Sequence, residues 1–290
     1  MTAPALSLIC STIGRPTALH KLLDSIAASD GADRVEFVLV DQSPDRACTA
    51  VLHGHRLRAQ SRTATSGRGV SVGRNTGLEV ATAPVVAFPN DNCWYPPETF
   101  GLVLTALDQR PELAGVSGMQ VTSDGNPSML RWLSHSTLIT RTNFMRTAIS
   151  STMFLRRRAM PPGPAFDESM GTGAPGICGS GEESDLLLRM LSAGRQILYR
   201  PDIHVHLDDP RDEITEAFVE KMFKYGVGNG NLWRRHRLSL PQLAYHASRK
   251  LVGSGVRAAR GDRIVARADI AYLRGQIVGL RGIAEHPPQD

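Results

Sequence analysis

Three groups of residues in this 290-residue sequence have the types and spacing to do chemistry. The first is Asn90-Asp91-Asn92, directly after the apolar run PVVAFP at 84–89, together with Asp41, which closes the run VEFVLVD at 35–41. Carboxylate and amide oxygens suit a hard divalent cation, and such a cation acts as a Lewis acid on an anionic leaving group. Asp91 also reads as a plain loop carboxylate, but its position straight after an apolar strand favours a ligand role. The second group is Glu182, Glu183 and Asp185 in GSGEESDL at 179–186. The helix dipole favours an ionised carboxylate in a first turn, and such a group can take the proton of a weakly nucleophilic hydroxyl. Glu183 equally fits a capping box opened by Ser180, and both readings stand at this point. Asp185 reads as a first-turn helix charge rather than a second base. The third group is His204 and His206 in ILYRPDIHVH at 197–206, of which one is expected to face the site and the other away.

The elements that must position these residues follow from the periodicity. Leu6, Leu8 and Ile9 form a short buried strand, Gly14 breaks it, and Pro16 suits the start of a helix whose apolar stripe is Leu19, Leu22, Leu23 and Ile26. Strands follow at 35–41 and 84–89, a helix at 97–108 and a strand near 116–121. Strands alternating with helices imply an α/β fold with a largely parallel sheet covered on both faces. Such sheets bind ligands at the carboxyl ends of their strands, where Asp41 and Asn90-Asp91-Asn92 fall. Residues 122–180 are irregular and rich in Gly, Pro, Ser and Met, and are expected to build an acceptor side. A helix over 182–192 ends at Gly194, a strand QILYRP begins at 196, and the pattern from about Asp212 onward is helical.

The net charge of +5 is unevenly spread: residues 221–290 hold 13 Lys+Arg and 4 Asp+Glu, a net +9, which leaves −4 on residues 1–220. The basic tail, with LWRRHRL at 232–238 and Arg260, Arg263, Arg267, Arg274 and Arg281 among apolar residues, reads either as a solvated face or as interfacial helices on an anionic membrane surface. No recognition motif accompanies this charge, so no nucleic-acid partner is expected. The cysteines Cys10, Cys48, Cys93 and Cys178 form no C-x-x-C pair and read as reduced thiols. No apolar run reaches the length of a spanning helix, and the expected location is cytoplasmic, peripheral on the inner face of the plasma membrane.

Four stretches, in order, resemble the large inverting GT-A glycosyltransferase family often called family 2. They are STIGRPTALHKLLDSI at 11–26 with VLVDQS at 38–43, GVSVGRNTGLEVATAPVVAFPNDNCWYP at 69–96, FDESMGTGAPGICGSGEESDLLLRMLSAG at 166–194, and ILYRPDIHVH at 197–206. The resemblance implies a GT-A, Rossmann-like fold on residues 1–210, with a nucleotide-sugar half over 1–121, an acceptor half over 122–210 and a basic helical extension over 211–290. It implies that Thr12, Arg15 and Asp41 recognise the nucleotide and that Arg74 and Asn75 lie beside the sugar nucleotide. It implies that Asn90 and Asp91 hold the ribose, and that Asp91, Asn92 and His206 hold a divalent cation, Mg or Mn. Glu183 is the implied catalytic base, with Glu182 and Asp185 on the acceptor side. The implied partners are a nucleotide-diphospho-sugar donor and a glycan or glycolipid acceptor, in the assembly of cell-surface polysaccharide or glycolipid. The sequence departs from the family's DDD at one point: Asn90 and Asn92 flank a single Asp91, which predicts weak metal binding or binding only with the nucleotide.

Other motifs carry less. Gly67-x-Gly69-x-x-x-Gly73 has the wrong spacing for a dinucleotide fingerprint. Gly226-Val-Gly-Asn-Gly230 reads as backbone packing or a break between helices. Arg156-Arg157-Arg158 reads as a solvated turn or a contact for a phosphorylated acceptor. Two competing functions are a nucleotidyltransferase, which STIGRP in place of a Gly-rich phosphate loop disfavours, and a non-catalytic nucleotide-sugar-binding scaffold.

Overall fold

The computed structural model describes residues 3–207 and 214–282, so the expected domain cut at 210 and the onset of helix near Asp212 lie outside the described residues. The chain divides into two compact units: residues 3–166 with 186–207, and residues 167–185 with 214–282. Within the second unit, 167–185 packs with the C-terminal helices. There the Gly179 N–H donates to the Lys224 carbonyl (3.1 Å) and the Ser180 hydroxyl donates to the Tyr225 carbonyl (3.0 Å).

The first unit holds the sheet. Its strands are β1 (Leu6–Thr12), β2 (Val35–Asp41), β3 (Ser61–Ala64), β4 (Val85–Ala87), β5 (Cys93–Trp94), β6 (Gly115–Val121), β7 (Thr137–Leu138), β8 (Met153–Arg156) and β9 (Ile197–Leu207). The order is β3-β2-β1-β4-β8-β6-β9-β5, with β7 also on β9. β3, β2, β1 and β4 are parallel, as are β6 and β9, while β8 runs antiparallel between β4 and β6, and β5 and β7 lie antiparallel on β9. β3 escapes the sequence reading because SRTA carries almost no apolar signal.

Helices cover both faces. α1 (Pro16–Ala27) turns Leu19, Leu22, Leu23 and Ile26 onto Leu6, Leu8 and Cys10, and all seven are fully buried. Each such side chain contributes about 1.5–3 kcal/mol by leaving water. On the other face lies α3 (Val70–Val80), where Gly73 and Gly77 permit close approach. A Cβ at Gly73 would stand 2.1 Å from Ser11 Oγ, and one at Gly77 would stand 2.2 Å from Ile9 Cγ2. α2 (Ala47–Gly54) and α4 (Thr99–Gln109) complete the cover. The Arg156-Arg157-Arg158 triplet lies at a short turn with Arg157 and Arg158 exposed, as the solvated-turn reading expects, but two of the three also make structural bonds. Arg156 donates to the carbonyls of Leu107, in the last turn of α4, and of Leu113, just before β6, and Arg157 donates to those of Leu78 and Ala81 where α3 ends.

The second unit is helical. The division between units falls within α5 (Glu182–Ser192), after Asp185. α6 (Glu216–Arg235), α7 (Leu240–Ala259) and α8 (Arg263–Arg281) follow. The Gly226–Gly230 motif does not break α6; it locks α6 to α8. A Cβ at Gly226 would lie 2.0 Å from the Tyr272 carbonyl oxygen, and one at Gly279 would lie 2.1 Å from that of Val227. Among the described residues no helix is long and apolar enough to cross a membrane.

Candidate active site

β1 has β2 on one side and β4 on the other. The chain steps outward from β1 through β2 to β3, then crosses back to β4, so the strand order reverses at β1. Loops leaving the carboxyl ends of strands diverge at such a reversal and open a crevice for ligand. Thr12 ends β1, and there its hydroxyl donates to Asp91 Oδ2 at 2.6 Å. Arg15 donates to Asp91 Oδ1 at 3.3 Å. Asp91 is buried, but the Arg15 side chain is 56% exposed. The Asn90–Cys93 turn that carries Asp91 is closed by the Cys93 N–H on the Asn90 carbonyl (3.1 Å), and it leaves Asn90 and Asn92 half-buried. The turn after β1 needs Gly14, whose φ is +112° and whose N–H donates to Thr12 Oγ1 (3.1 Å). Beneath this cluster the Cys10 thiol is held well above its ordinary pKa, by burial first and then by the Asp91 charge. It therefore stays neutral. All four cysteines are buried and unbridged.

Two other residues singled out in the sequence serve the walls. Asp41, at the end of β2, is buried and accepts four hydrogen bonds: from Ser43 N (3.0 Å) and Oγ (2.6 Å), and from Thr49 N (2.8 Å) and Oγ1 (2.9 Å). Burial pushes its pKa up, but these donors outweigh burial and the net direction is down. Asp41 thus ties the end of β2 to the first turn of α2. Asn75 donates to the Phe166 carbonyl (2.8 Å) and accepts from the Phe166 N–H (3.0 Å). That two-point grip fixes Phe166, whose ring meets Phe88 edge-on at 4.8 Å and carries the Arg74 guanidinium at 5.3 Å.

His206 stacks on Trp94 with ring centroids 3.8 Å apart, and its Nδ1 donates to the Thr122 carbonyl at 2.9 Å. A carbonyl can only accept, so Nδ1 carries the proton of this bond, which fixes the plane of the ring. His204 and His206 do not face opposite ways as expected. Residues two apart in a strand share a face, and these two pair with Met119 and Val121 of β6. They differ because β5 lays Trp94 against His206 alone. As a cation site the region is sparse. No group of three or more His, Cys, Asp or Glu side chains able to hold a metal occurs among the described residues. Both Asp91 oxygens already accept hydrogen bonds. One carboxylate with amide and imidazole donors is too few to cage a hard divalent cation by protein alone.

In the second unit, α5 begins at Glu182 and the Gly181 carbonyl accepts from the Asp185 N–H (2.8 Å), so Gly181 stands at the N-cap. The capping box expected from Ser180 does not form: Ser180 lies one residue too early and its hydroxyl goes to the Tyr225 carbonyl. Of the three acids, Glu182 and Asp185 are buried and Glu183 is half-exposed. Asp185, expected on the acceptor side, is fully buried. Its Oδ1 lies 2.8 Å from His236 Nε2 and 3.4 Å from Arg235 Nε. Arg235 also pairs with Asp167, whose pKa is pushed up by burial but brought down on balance by Ser169 and Arg235.

The glycosyl transferase family 2 profile matches residues 7–161, just over half of the chain. The chain belongs to this family. The match covers Thr12, Asp41, Asn75 and Asp91 but ends before Glu183. A relative is the succinoglycan biosynthesis protein ExoM of Rhizobium meliloti (strain 1021), 28% identical over 74% of this chain and 72% of its own. Solved structures share the GT-A fold. The mannosyltransferase PcManGT of Pyrobaculum calidifontis, in complex with GDP-Man and Mn2+, aligns over 96% of this chain and 88% of its own, with a TM-score of 0.61 and 15% identity. TarS of S. aureus aligns over 80% of this chain with a TM-score of 0.58 and 17% identity. The alignment spans only 42% of that TarS chain.

Within this family 2 chain, sequence reading missed the residues that hold the named ones. Ser43 and Thr49 around Asp41 had a usable signal, since Asp, Ser and Thr at a strand-to-helix junction commonly cap one another. Phe166 as the partner of Asn75, and His236 as the partner of Asp185, had none, because 91 and 51 residues separate the members of each pair.

Proposed function

We propose that this family 2 glycosyltransferase works by inversion, moving a sugar from a nucleotide-diphosphate donor to a hydroxyl of a glycan or lipid-linked acceptor in polysaccharide or glycolipid assembly. The observation that carries the reading is the Thr12–Asp91 contact of 2.6 Å at the reversal of strand order, with Arg15 beside it. Residues 1–121 supply the donor side, and residues 122–210 the acceptor side. Arg15, largely open to solvent, turns to the diphosphate, while Asn90 and Asp91 receive the ribose. Thr12 and Asp41, at the ends of β1 and β2, recognise the nucleotide, and Arg74 and Asn75, which grip Phe166, lie beside the sugar nucleotide.

Asp91, Asn92 and His206 would hold a divalent cation, Mg2+ or Mn2+, which neutralises charge on the leaving diphosphate when bound. With so sparse a donor set, the cation enters with the nucleotide. PcManGT in complex with GDP-Man and Mn2+ supports that pairing, and a TarS form in complex with UDP supports a nucleotide donor. The ExoM likeness supports a polysaccharide setting.

Glu183 is the general base. It takes the proton of the acceptor hydroxyl as that oxygen bonds to the anomeric carbon. The bond from the anomeric carbon to the diphosphate breaks on the opposite face, so configuration inverts in one displacement. Glu183 is the half-exposed acid of the first turn of α5, where the helix dipole favours its ionised form. Transfer from UDP-, GDP- and dTDP-sugars, read by nucleotide release and product anomer, tests the reading. Wild type should turn over one donor class with inversion, and Glu183→Gln should lower kcat by about 10²–10⁴-fold with nucleotide binding kept. Retention of configuration, or full activity in Glu183→Gln, contradicts it. Binding without turnover by any donor would instead mark a scaffold.

A further inference from the structure

The helix α7 is inside out. A surface helix normally turns its charges to water and its apolar stripe inward. Here the inward side holds Lys250 and Arg257, which reach Asp269 of α8 at 2.9 and 2.6 Å, and Ser254, which donates to the Ala266 carbonyl at 3.0 Å. The outward side holds Leu240, Tyr245, Leu251, Val252 and Val256, each between 45% and 67% exposed. At 100° per residue, these five and the small residues among them form an uncharged arc of roughly 160°. Arg249 and Arg260 border that arc, and Arg249 donates to the Tyr245 hydroxyl at 3.1 Å. α7 contains no acidic residue at all.

We propose that this face docks α7 in the plane of an anionic lipid surface, with the leucine and valine side chains among the acyl chains and Tyr245, Arg249 and Arg260 at headgroup level. A basic-bordered apolar face, free of acid, suits that occupant on both counts. Tyrosine, apolar in body with a polar tip, is suited to the boundary. A second copy is the poorer fit. Arg249 lies at the middle of α7, so isologous pairing through this face would set the two Arg249 side chains together, like charge on like charge. The inference rests on the packing of residues 214–282 and stands apart from the transfer reading.

Flotation of the full chain with phosphatidylcholine vesicles, with and without phosphatidylglycerol, tests it. Wild type should float with the phosphatidylglycerol vesicles, and raised salt should weaken this. Joint Leu251→Asp and Val252→Asp should abolish it, with an unchanged melting curve expected for such exposed positions. Arg249→Gln with Arg260→Gln should lower partitioning by about thirtyfold. A second readout is independent of loss variants: Val256→Cys, carrying an environment-sensitive dye, should shift its emission to the blue on the same vesicles. No flotation, flotation indifferent to the Leu251 and Val252 changes, or an unshifted dye overturns the proposal. So does a dimer in solution that those two changes dissociate, since a second copy then owns the face.

Discussion

Two buried aspartates, each beside an arginine, do different work. Asp91 in the sheet unit is gripped by Thr12 from inside, but its arginine, Arg15, stands mostly in solvent. Asp185 in the helical unit is fully buried, and its first partner, His236, is buried with it. An ion pair with one member in water exchanges partners at small cost, whereas a sealed pair holds its element in place. Asp91 thus has one buried hydroxyl partner and one arginine mostly in water, whereas Asp185 has a buried imidazole and an arginine that is 41% exposed and shared with Asp167. Of the three acids that GSGEESDL supplies in one turn, Glu182 and Asp185 are buried and Glu183 is half-exposed.

Breaking the sealed pair should have the largest effect on folding. Asp185→Ala is expected to cost about 3 kcal/mol in urea unfolding, because it leaves the buried His236 ring without its hydrogen-bond partner and Arg235 with Asp167 alone. Asp91→Asn should lose about 10–100-fold in kcat/KM while its unfolding midpoint hardly moves, and an equal loss of stability in both variants would erase the distinction. The glycine seam sharpens the contrast between units. Gly226→Ala should destabilise by about 1–3 kcal/mol by forcing α6 from α8, whereas Gly101→Ala in α4, with open space around it, should be neutral or slightly stabilising in the same melts.

The smallest expected effect is the share of the acid pH dependence that Glu36 carries. Glu36 is pushed up by burial, but donors from Ser7, Thr82 and Arg62 outweigh that and set its net pKa below the ordinary value. A depressed folded pKa contributes stability that is complete above the unfolded value and lost as pH falls through the folded one. Thermal midpoints of wild type should therefore fall below about pH 4.3, and Glu36→Gln should show a shallower acid slope. Identical slopes would remove Glu36 from the account.

The sheet was legible because its strands are apolar runs bounded by Gly, Pro or Asp. Val35–Asp41 and Glu182–Ser192 match the periodicity to the residue. β3 was not legible, because SRTA has neither an apolar run nor clean alternation. Nor was the role of the arginine triplet, since nothing in RRR says that helices α3 and α4 end beside it. Gly226–Gly230 serves backbone packing, as its sequence reads, but its partner helix α8 was not legible, because glycines have no side chain to show a period. The site was legible in its motif residues and opaque in their partners, because hydrogen bonds across 51 to 91 residues leave no local trace.

The most direct test of the donor site is calorimetric titration of UDP, GDP and dTDP into wild type and Asp91→Asn, each with Mn2+ and with EDTA. One nucleotide should bind wild type, require the cation, and lose that requirement together with most of its affinity in Asp91→Asn. Binding that Asp91→Asn leaves intact, or no nucleotide binding by the folded wild type, would contradict the placement of the donor at the end of β1.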